Sequence, residues 1–327
     1  MAPESEQPLT RDDLVRGILG TDPEFTSDEI AKAVDVDVDV TRRLWRALGF
    51  PEYAEDEVAF TRADVDALGL LQSTVESGVI DFDTALNLTR AVGTTVARLA
   101  DWEVATLVPQ LPVGEGASQT RLAAALELIT SVGEPFEHLL VYAWRRHLAV
   151  AASRVESLGA DDEELKTTEV TVGFADIVAF SALSNEIGEE RVGDLVEVFE
   201  SRCHDVVATR GGRVIKSLGD SVLFISDDAV KALEIADGII GVIGRDSRMP
   251  DVRLGLASGG VVMRMGDVFG PPVNLAARLT AVARRNRVIV DDVTSEMLPE
   301  DRFETRRLPA RPLRGFGLVE PIAVRVL

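Results

Sequence analysis

Two aspartates in the C-terminal half stand where carboxylates could do chemistry. Asp176 follows a buried strand directly, in Phe174-Ala175-Asp176-Ile177-Val178-Ala179-Phe180, and Asp220 occupies the turn of a predicted hairpin, Lys216-Ser217-Leu218-Gly219-Asp220-Ser221-Val222. If the two strands are neighbours in one sheet, both carboxylates reach the same end, where hard oxygen ligands can hold magnesium or manganese against a triphosphate. A helix opening after Asp176 would add backbone N–H groups that cradle phosphate. The same two positions also suit a helix cap and a turn residue, and spacing alone weighs the readings equally. Asn274 and Arg278 lie four apart on a predicted helix after Pro272, so both side chains face one way.

These residues need a scaffold, and the pattern after Lys166 supplies one. Glu169 to Phe174 is β-rich, Glu189 to Ala208 is an amphipathic helix, and Gly212 to Ile225 reads as strand, tight turn, strand. Ser226 to Gly244 is helical, Val252 to Ala257 a strand, Pro272 to Arg284 a helix and Arg287 to Asp291 a strand. Strands interleaved with helices imply helices packed on a sheet. Residues 1–155 read instead as an all-α domain. Thr10, Thr26 and Thr61 are N-cap candidates followed by first-turn acids. A Pro/Gly-containing loop is expected over 106–119, and a helix break between Gly133 and Pro135. The acidic stretch Asp161 to Glu164 marks a linker, 156–167, before a second domain at 168–327.

Composition narrows the function classes. The formal charge is −21, and such a surface repels phosphate backbones, so nucleic-acid binding is disfavoured. Apolar runs are short, none approaching the ~20 residues of a bilayer span, and the acidic start lacks the apolar region of a secretory signal. No membrane partner and a cytoplasmic location are expected. The single cysteine, Cys203, has no disulfide partner and falls in a helical apolar pattern with Leu195, Val198, Phe199 and Val206, so it is expected in the core.

Phe174 to Ser181, Lys216 to Ser221, and Gly266-Asp267-Val268-Phe269-Gly270-Pro271-Pro272-Val273-Asn274-Leu275-Ala276-Ala277-Arg278 resemble, in family order, the three signature blocks of class III nucleotide cyclases. The resemblance implies a ferredoxin-like βαββαβ catalytic domain of the α/β class that makes cyclic AMP from ATP. It places Asp176, Ile177 and Asp220 around two metal ions (Mg2+ or Mn2+) that assist attack of the ribose 3′-hydroxyl on the α-phosphate. Lys216 and Asp267 match the purine-reading pair. An ammonium donates to adenine N1 and a carboxylate accepts from the exocyclic amine, whereas guanine reverses both groups. Guanylyl members typically hold Glu and Cys there. Asn274 would orient the ribose and Arg278 stabilise the transferring phosphate. Arg314, in Leu313-Arg314-Gly315-Phe316, resembles a lysine that contacts the terminal phosphates. Ala179 and Ser181 depart from the usual Gly and Thr. In the family one site draws on two chains, so a chain carrying every part implies a head-to-tail homodimer with two sites.

Residues 1–155 resemble, less specifically, a helical regulatory domain of actinobacterial cyclases associated with pH-dependent autoinhibition. His138 and His147, two of three histidines, lie on one helix entering the linker, and imidazole titrates near ~6.5. They are candidate pH sensors, with ordinary surface or packed histidines weighed equally. The apolar runs Leu122 to Leu128 and Leu139 to Val150 could line a pocket for a lipid or small-molecule ligand, or simply pack. Thr26 to Phe50 also looks like a helix-turn-helix with Arg42, Arg43 and Arg46 on its second helix, which keeps a DNA-binding regulator as a further reading, against the acidic turn Asp35, Asp37 and Asp39.

Overall fold

The computed structural model describes residues 11–111, 121–157, 167–264 and 266–327. It divides into two compact units, one up to Ala151 and one from Ala152.

The first unit is helical: α1 (Arg11–Leu19), α2 (Ser27–Ala33), α3 (Val38–Ala47), α4 (Arg62–Glu76), α5 (Phe82–Leu107), a 3₁₀ turn (Val108–Gln110) and α6 (Arg121–Ser157). Local chemistry sets the helix starts. Thr26 accepts from the Glu29 amide while the Glu29 carboxylate accepts from the Thr26 amide at 2.9 Å, the reciprocal box that satisfies orphan donors. Asp64 accepts from the Thr61 amide at 2.7 Å in the same way. Thr10 lies outside the described residues, as do 112–120 of the expected loop and 158–166 of the expected linker. Two expectations change. Thr106 and Leu107 belong to α5, and α6 runs unbroken through Pro135. Proline withdraws one helix donor and strains one turn, and the turns on either side carry the helix through.

Ile30, Leu44, Trp45, Phe60, Val65 and Leu68 form the core of this unit. The Trp45 indole N–H donates to the Pro51 carbonyl at 2.9 Å, and its ring packs edge-on against Phe60. Arg42 and Arg46 of α3 pair with Glu55 (3.4 Å) and Glu52 (3.0 Å), and Arg43 lies over the Phe82 ring. The second helix of the helix-turn-helix-like segment thus spends its cations on its own chain.

The second unit runs β1 (Thr168–Ile177), α7 (Phe180–Ile187), α8 (Glu189–Thr209), β2 (Arg213–Ser217), β3 (Ser221–Ser226), α9 (Ala229–Gly244), β4 (Val252–Arg264), β5 (Asp267–Phe269), α10 (Pro271–Val282), β6 (Val288–Val290), α11 (Asp292–Glu296), β7 (Phe303–Arg307), β8 (Arg311–Leu313), β9 (Gly317–Val319) and β10 (Ile322–Val326). The sheet order is β2-β3-β1-β4-β6-β10-β7, with β5 paired to β4 and β8–β9 a separate hairpin. Its first four strands, antiparallel and connected βαββαβ, are the expected ferredoxin-like core.

Period-two alternation gives the sheet two apolar faces. Ala175, Ile177, Val222, Phe224, Leu254 and Leu256 meet α8 and α9, where Phe199 and Cys203 are fully buried. Burial pushes the Cys203 thiol up to about 12, so it is an inert core group. Val170, Val172, Leu223, Ile225 and Ala257 face α10 through Ala276 and Leu279. Here the approach is close. A Cβ on Gly255 of β4 would fall 2.3 Å from the Thr280 nitrogen and 2.6 Å from the Ala276 carbonyl. The Thr280 hydroxyl donates to that same carbonyl at 2.8 Å.

Gly255→Ala must therefore lift α10 from the sheet. Urea unfolding should show a loss of about 1–3 kcal/mol, the usual cost of overpacking. An unchanged midpoint would show that α10 is free to shift.

Candidate active site

The register of β1 decides what surrounds Asp176. This residue pairs with Ser221 of β3 on one side and Arg253 of β4 on the other. Arg253 holds its carboxylate through Nε at 2.7 Å and Nη2 at 2.6 Å, and through Nη1 it also donates to the Ala281 carbonyl of α10 at 3.1 Å. Asp220 is the residue before Ser221, and its main-chain carbonyl accepts from the Ile177 amide at 3.0 Å. The turn that presents it closes with Gly219 in the left-handed region (φ 67°) and a 2.7 Å bond from Leu218 N–H to the Ser221 carbonyl. The two carboxylates are brought to one end of the sheet. Burial first, and then the charge of Asp176, raise the Asp220 carboxyl above the ordinary range, so the site carries an unmet demand for positive charge. The Ile177 side chain is buried. Only its main chain can serve a ligand there.

Two residues on, Ala179 adopts φ 57°, ψ 32° and α7 begins at Phe180. That left-handed backbone costs a residue with a Cβ roughly 1–2 kcal/mol, which is a physical reason for glycine to be frequent here. The turn is kept despite alanine, and it delivers the first amides of α7, which have no intrahelical acceptors, just past the end of β1.

A second cluster forms around Lys216 of β2 and Asp267 of β5. Their side chains are ion-paired although 51 residues separate them, and both are only partly exposed. The other Asp267 oxygen accepts from the Val268 amide at 2.8 Å, which fixes the carboxylate. Among the described residues no hydrogen bond joins this cluster to the Asp176 cluster.

On α10, Pro271 and Pro272 fill the first turn, where a missing N–H costs nothing. Ala276, Leu279 and Thr280 are buried against the sheet, which turns Asn274 and Arg278 outward. Arg314 is exposed at the tip of the β8–β9 hairpin, after buried Leu313 and before Gly315 at φ 89°. His138 and His147 are both exposed on α6. Nine residues place them on opposite sides of the helix, so the structure does not bring them together. Leu139, Tyr142, Trp144 and Leu148 of the same helix are exposed rather than packed.

Sequence reasoning passed over Arg253. Its signal was weak: a basic residue second in a strand, whose meaning depends on pairing with a position 77 residues earlier.

Residues 161–321 match the adenylate and guanylate cyclase catalytic domain, and residues 6–142 match the adenylate cyclase regulatory domain. An adenylate cyclase of Streptomyces coelicolor is 38% identical over 93% of this chain and 86% of its own length. One of Streptomyces griseus is 36% identical with the same coverage. A pH-sensitive adenylate cyclase of Mycobacterium tuberculosis is 30% identical over 92% of this chain and 78% of its own. No helix among the described residues is long and apolar enough to cross a membrane. The chain belongs to the class III cyclase family, in the actinobacterial group that joins an adenylate cyclase regulatory domain to a cyclase catalytic domain.

Proposed function

We propose that this protein is an adenylyl cyclase that converts ATP to 3′,5′-cyclic AMP and pyrophosphate at composite sites shared by two head-to-tail copies. The observation that carries the reading is the Lys216–Asp267 pair: a fixed cation beside a fixed carboxylate matches the acceptor N1 and the donor amine of adenine. The residues at the other cluster suit a divalent ion. Asp176 and Asp220 are hard oxygen donors, the Asp220 carboxyl is raised in part by its neighbour's charge, and the Ile177 carbonyl would be the third ligand. When bound there, two magnesium or manganese ions supply charge neutralisation to the phosphates and favour the alkoxide form of the ribose 3′-hydroxyl.

The chain's own groups do the rest. Asn274, outward on α10, orients the ribose, and Arg278 one turn later places a planar guanidinium against the charge that develops on the α-phosphate. The first amides of α7 and the Arg314 side chain bind the outer phosphates, so that the leaving pyrophosphate lies in line with the attacking 3′-oxygen. The P–O bond to pyrophosphate breaks as the 3′-oxygen–phosphorus bond forms. That the Asp176 cluster and the Lys216 cluster share no hydrogen bond, while Asn274 and Arg278 point away from their own sheet, supports a site completed by a second copy. Residues 1–155 act as a regulatory domain, 156–167 as a linker and 168–327 as the catalytic domain. In this reading acidification acts through His138 and His147, where a positive charge joins Glu134 one turn before His138 and Arg146 beside His147.

Purified protein with ATP and manganese or magnesium should yield cyclic AMP, and GTP little cyclic GMP. Product from GTP at a comparable rate would sink the assignment of the Lys216–Asp267 pair. Asp176→Ala and Arg278→Ala should each lose at least about 100-fold in rate, the scale of removing one transition-state contact. Mixing the two variants should restore part of the activity, since a heterodimer then holds one intact site. Folded heterodimers without rescue would refute the shared site. Replacing both His138 and His147 by Gln should flatten the pH–activity profile between about 5 and 8, the range that brackets imidazole titration. An unaltered profile assigns any pH response elsewhere.

A further inference from the structure

A concavity of the catalytic unit lies apart from both clusters, with a volume of about 530 Å³. It is built on the α10 side of the sheet, where Ile289 of β6 stands beside Ala323 of β10, and Ala323 beside Arg306 of β7. Val282 closes it at the end of α10, and Leu308 and Pro309 close it from the segment before β8.

Its rim is cationic on a chain whose net charge is −21. Arg284 and Arg287 of the α10–β6 connection, Arg306 of β7 and Arg311 of β8 line it. Among the described residues none of these four has an ion-pair or hydrogen-bond partner for its side chain. The contrast with their immediate neighbours is informative. Arg285 pairs with Asp251 at 3.3 Å, Arg307 with Asp292 at 2.7 Å, and Arg325, also on the rim, with Glu304 at 2.6 Å. Glu304, the acid that lines the cavity, is taken by Arg325, and the other four arginines of the lining, all exposed, have no such acid. Such an arrangement concentrates positive potential at one concavity, where an anion is attracted. Guanidinium forks favour planar or tetrahedral oxyanions, which they bind bidentately, and four charges within one small cavity match a multivalent anion better than a single carboxylate. The apolar floor of Ile289, Leu308 and Ala323 excludes water beneath the charges and strengthens the interaction.

We propose that this cavity binds a small polyphosphate anion, at a site distinct from the one that Asp176, Asp220, Lys216 and Asp267 form. Because Val282 is the last residue of the helix that carries Asn274 and Arg278, and Arg284 follows its C-cap Ala283, an occupied cavity also ties down the C-terminal end of α10.

The test is calorimetric titration of the full-length protein with inorganic triphosphate in chelator-containing, metal-free buffer, where the Asp176–Asp220 pair repels phosphate. The expected result is one site per chain that weakens as salt rises. Arg287→Gln and Arg306→Gln should each weaken it by roughly tenfold, the worth of one charged hydrogen-bonding partner, and Arg314→Gln should leave it unchanged. Thermal melts and cyclase assays of the two cavity variants establish that they fold. No binding by the wild-type chain, or equal affinity in the cavity variants, overturns the proposal. So does the reverse pattern, in which Arg314→Gln weakens binding and the cavity variants do not, since that puts the anion in the catalytic site. Loss of self-association confined to the cavity variants would instead assign the arginines to pairing between copies and overturn it too.

Discussion

Everything at the catalytic end depends on β1 being hydrogen-bonded on both sides. A central strand has no freedom of register once its two faces are buried, because a slip of one residue would exchange Ala175 and Ile177, under α8 and α9, with Val172 and Phe174, under α10. That constraint holds Asp176 opposite Ser221 and Arg253 at once. It thereby sets the spacing of the acidic pair and the position of the guanidinium that pairs with one member. The site is less a property of its aspartates than of the alternation of small and branched apolar residues that precedes them.

The same dependence explains what could be read in advance. Asp176 and Asp220 were legible because each ends a short segment with a local signature: a β-rich run before the first, a Gly-containing hairpin turn around the second. The helix of Asn274 and Arg278 was legible from its Pro-Pro start and its three-and-four periodicity. The ion pair of Lys216 with Asp267 is a fact of tertiary structure, and only resemblance to a family connected the two beforehand. Arg253 escaped even that, since nothing near it in sequence distinguishes it from Arg248 or Arg264. In the helical half, the capping threonines Thr26 and Thr61 marked helix starts correctly, while Pro135 misled. A proline weakens a helix by a fixed local amount, and whether the helix then breaks depends on the length on either side, which in α6 is ample.

Strain and charge are both concentrated where the chemistry is proposed. Ala179 holds a left-handed backbone that glycine would hold without penalty, and Asp220 holds a carboxyl that burial and Asp176 make harder to ionise. Neither helps the unit fold. Both are tolerated because the sheet beneath is locked on two faces, and the stability lost at the loop is small beside the burial of Phe199, Phe224, Leu233, Ile239 and Leu254. This division of labour, with a rigid two-faced sheet and strained loops at its end, is how a scaffold keeps reactive groups in geometries they would not choose alone.

The Lys216–Asp267 pair bears on how a base would be selected in the proposed reaction. Lys216 and Asp267 neutralise each other, and both remain partly open to water, so the pair contributes only about 0–1 kcal/mol. In the proposed reading, exchanging it for bonds to adenine would cost little, and each group would keep a partner of the right sense. Guanine would set a ring N–H against the ammonium and a carbonyl against the carboxylate. Two donors and two acceptors would then face each other, and the Lys216–Asp267 bond would have been broken for nothing. Discrimination of this kind comes from the groups a wrong base leaves unpaired more than from those a right base satisfies. It requires the carboxylate to stay in place while the base arrives, and the bond from the Val268 amide to Asp267 provides that fixity from the backbone of β5 itself.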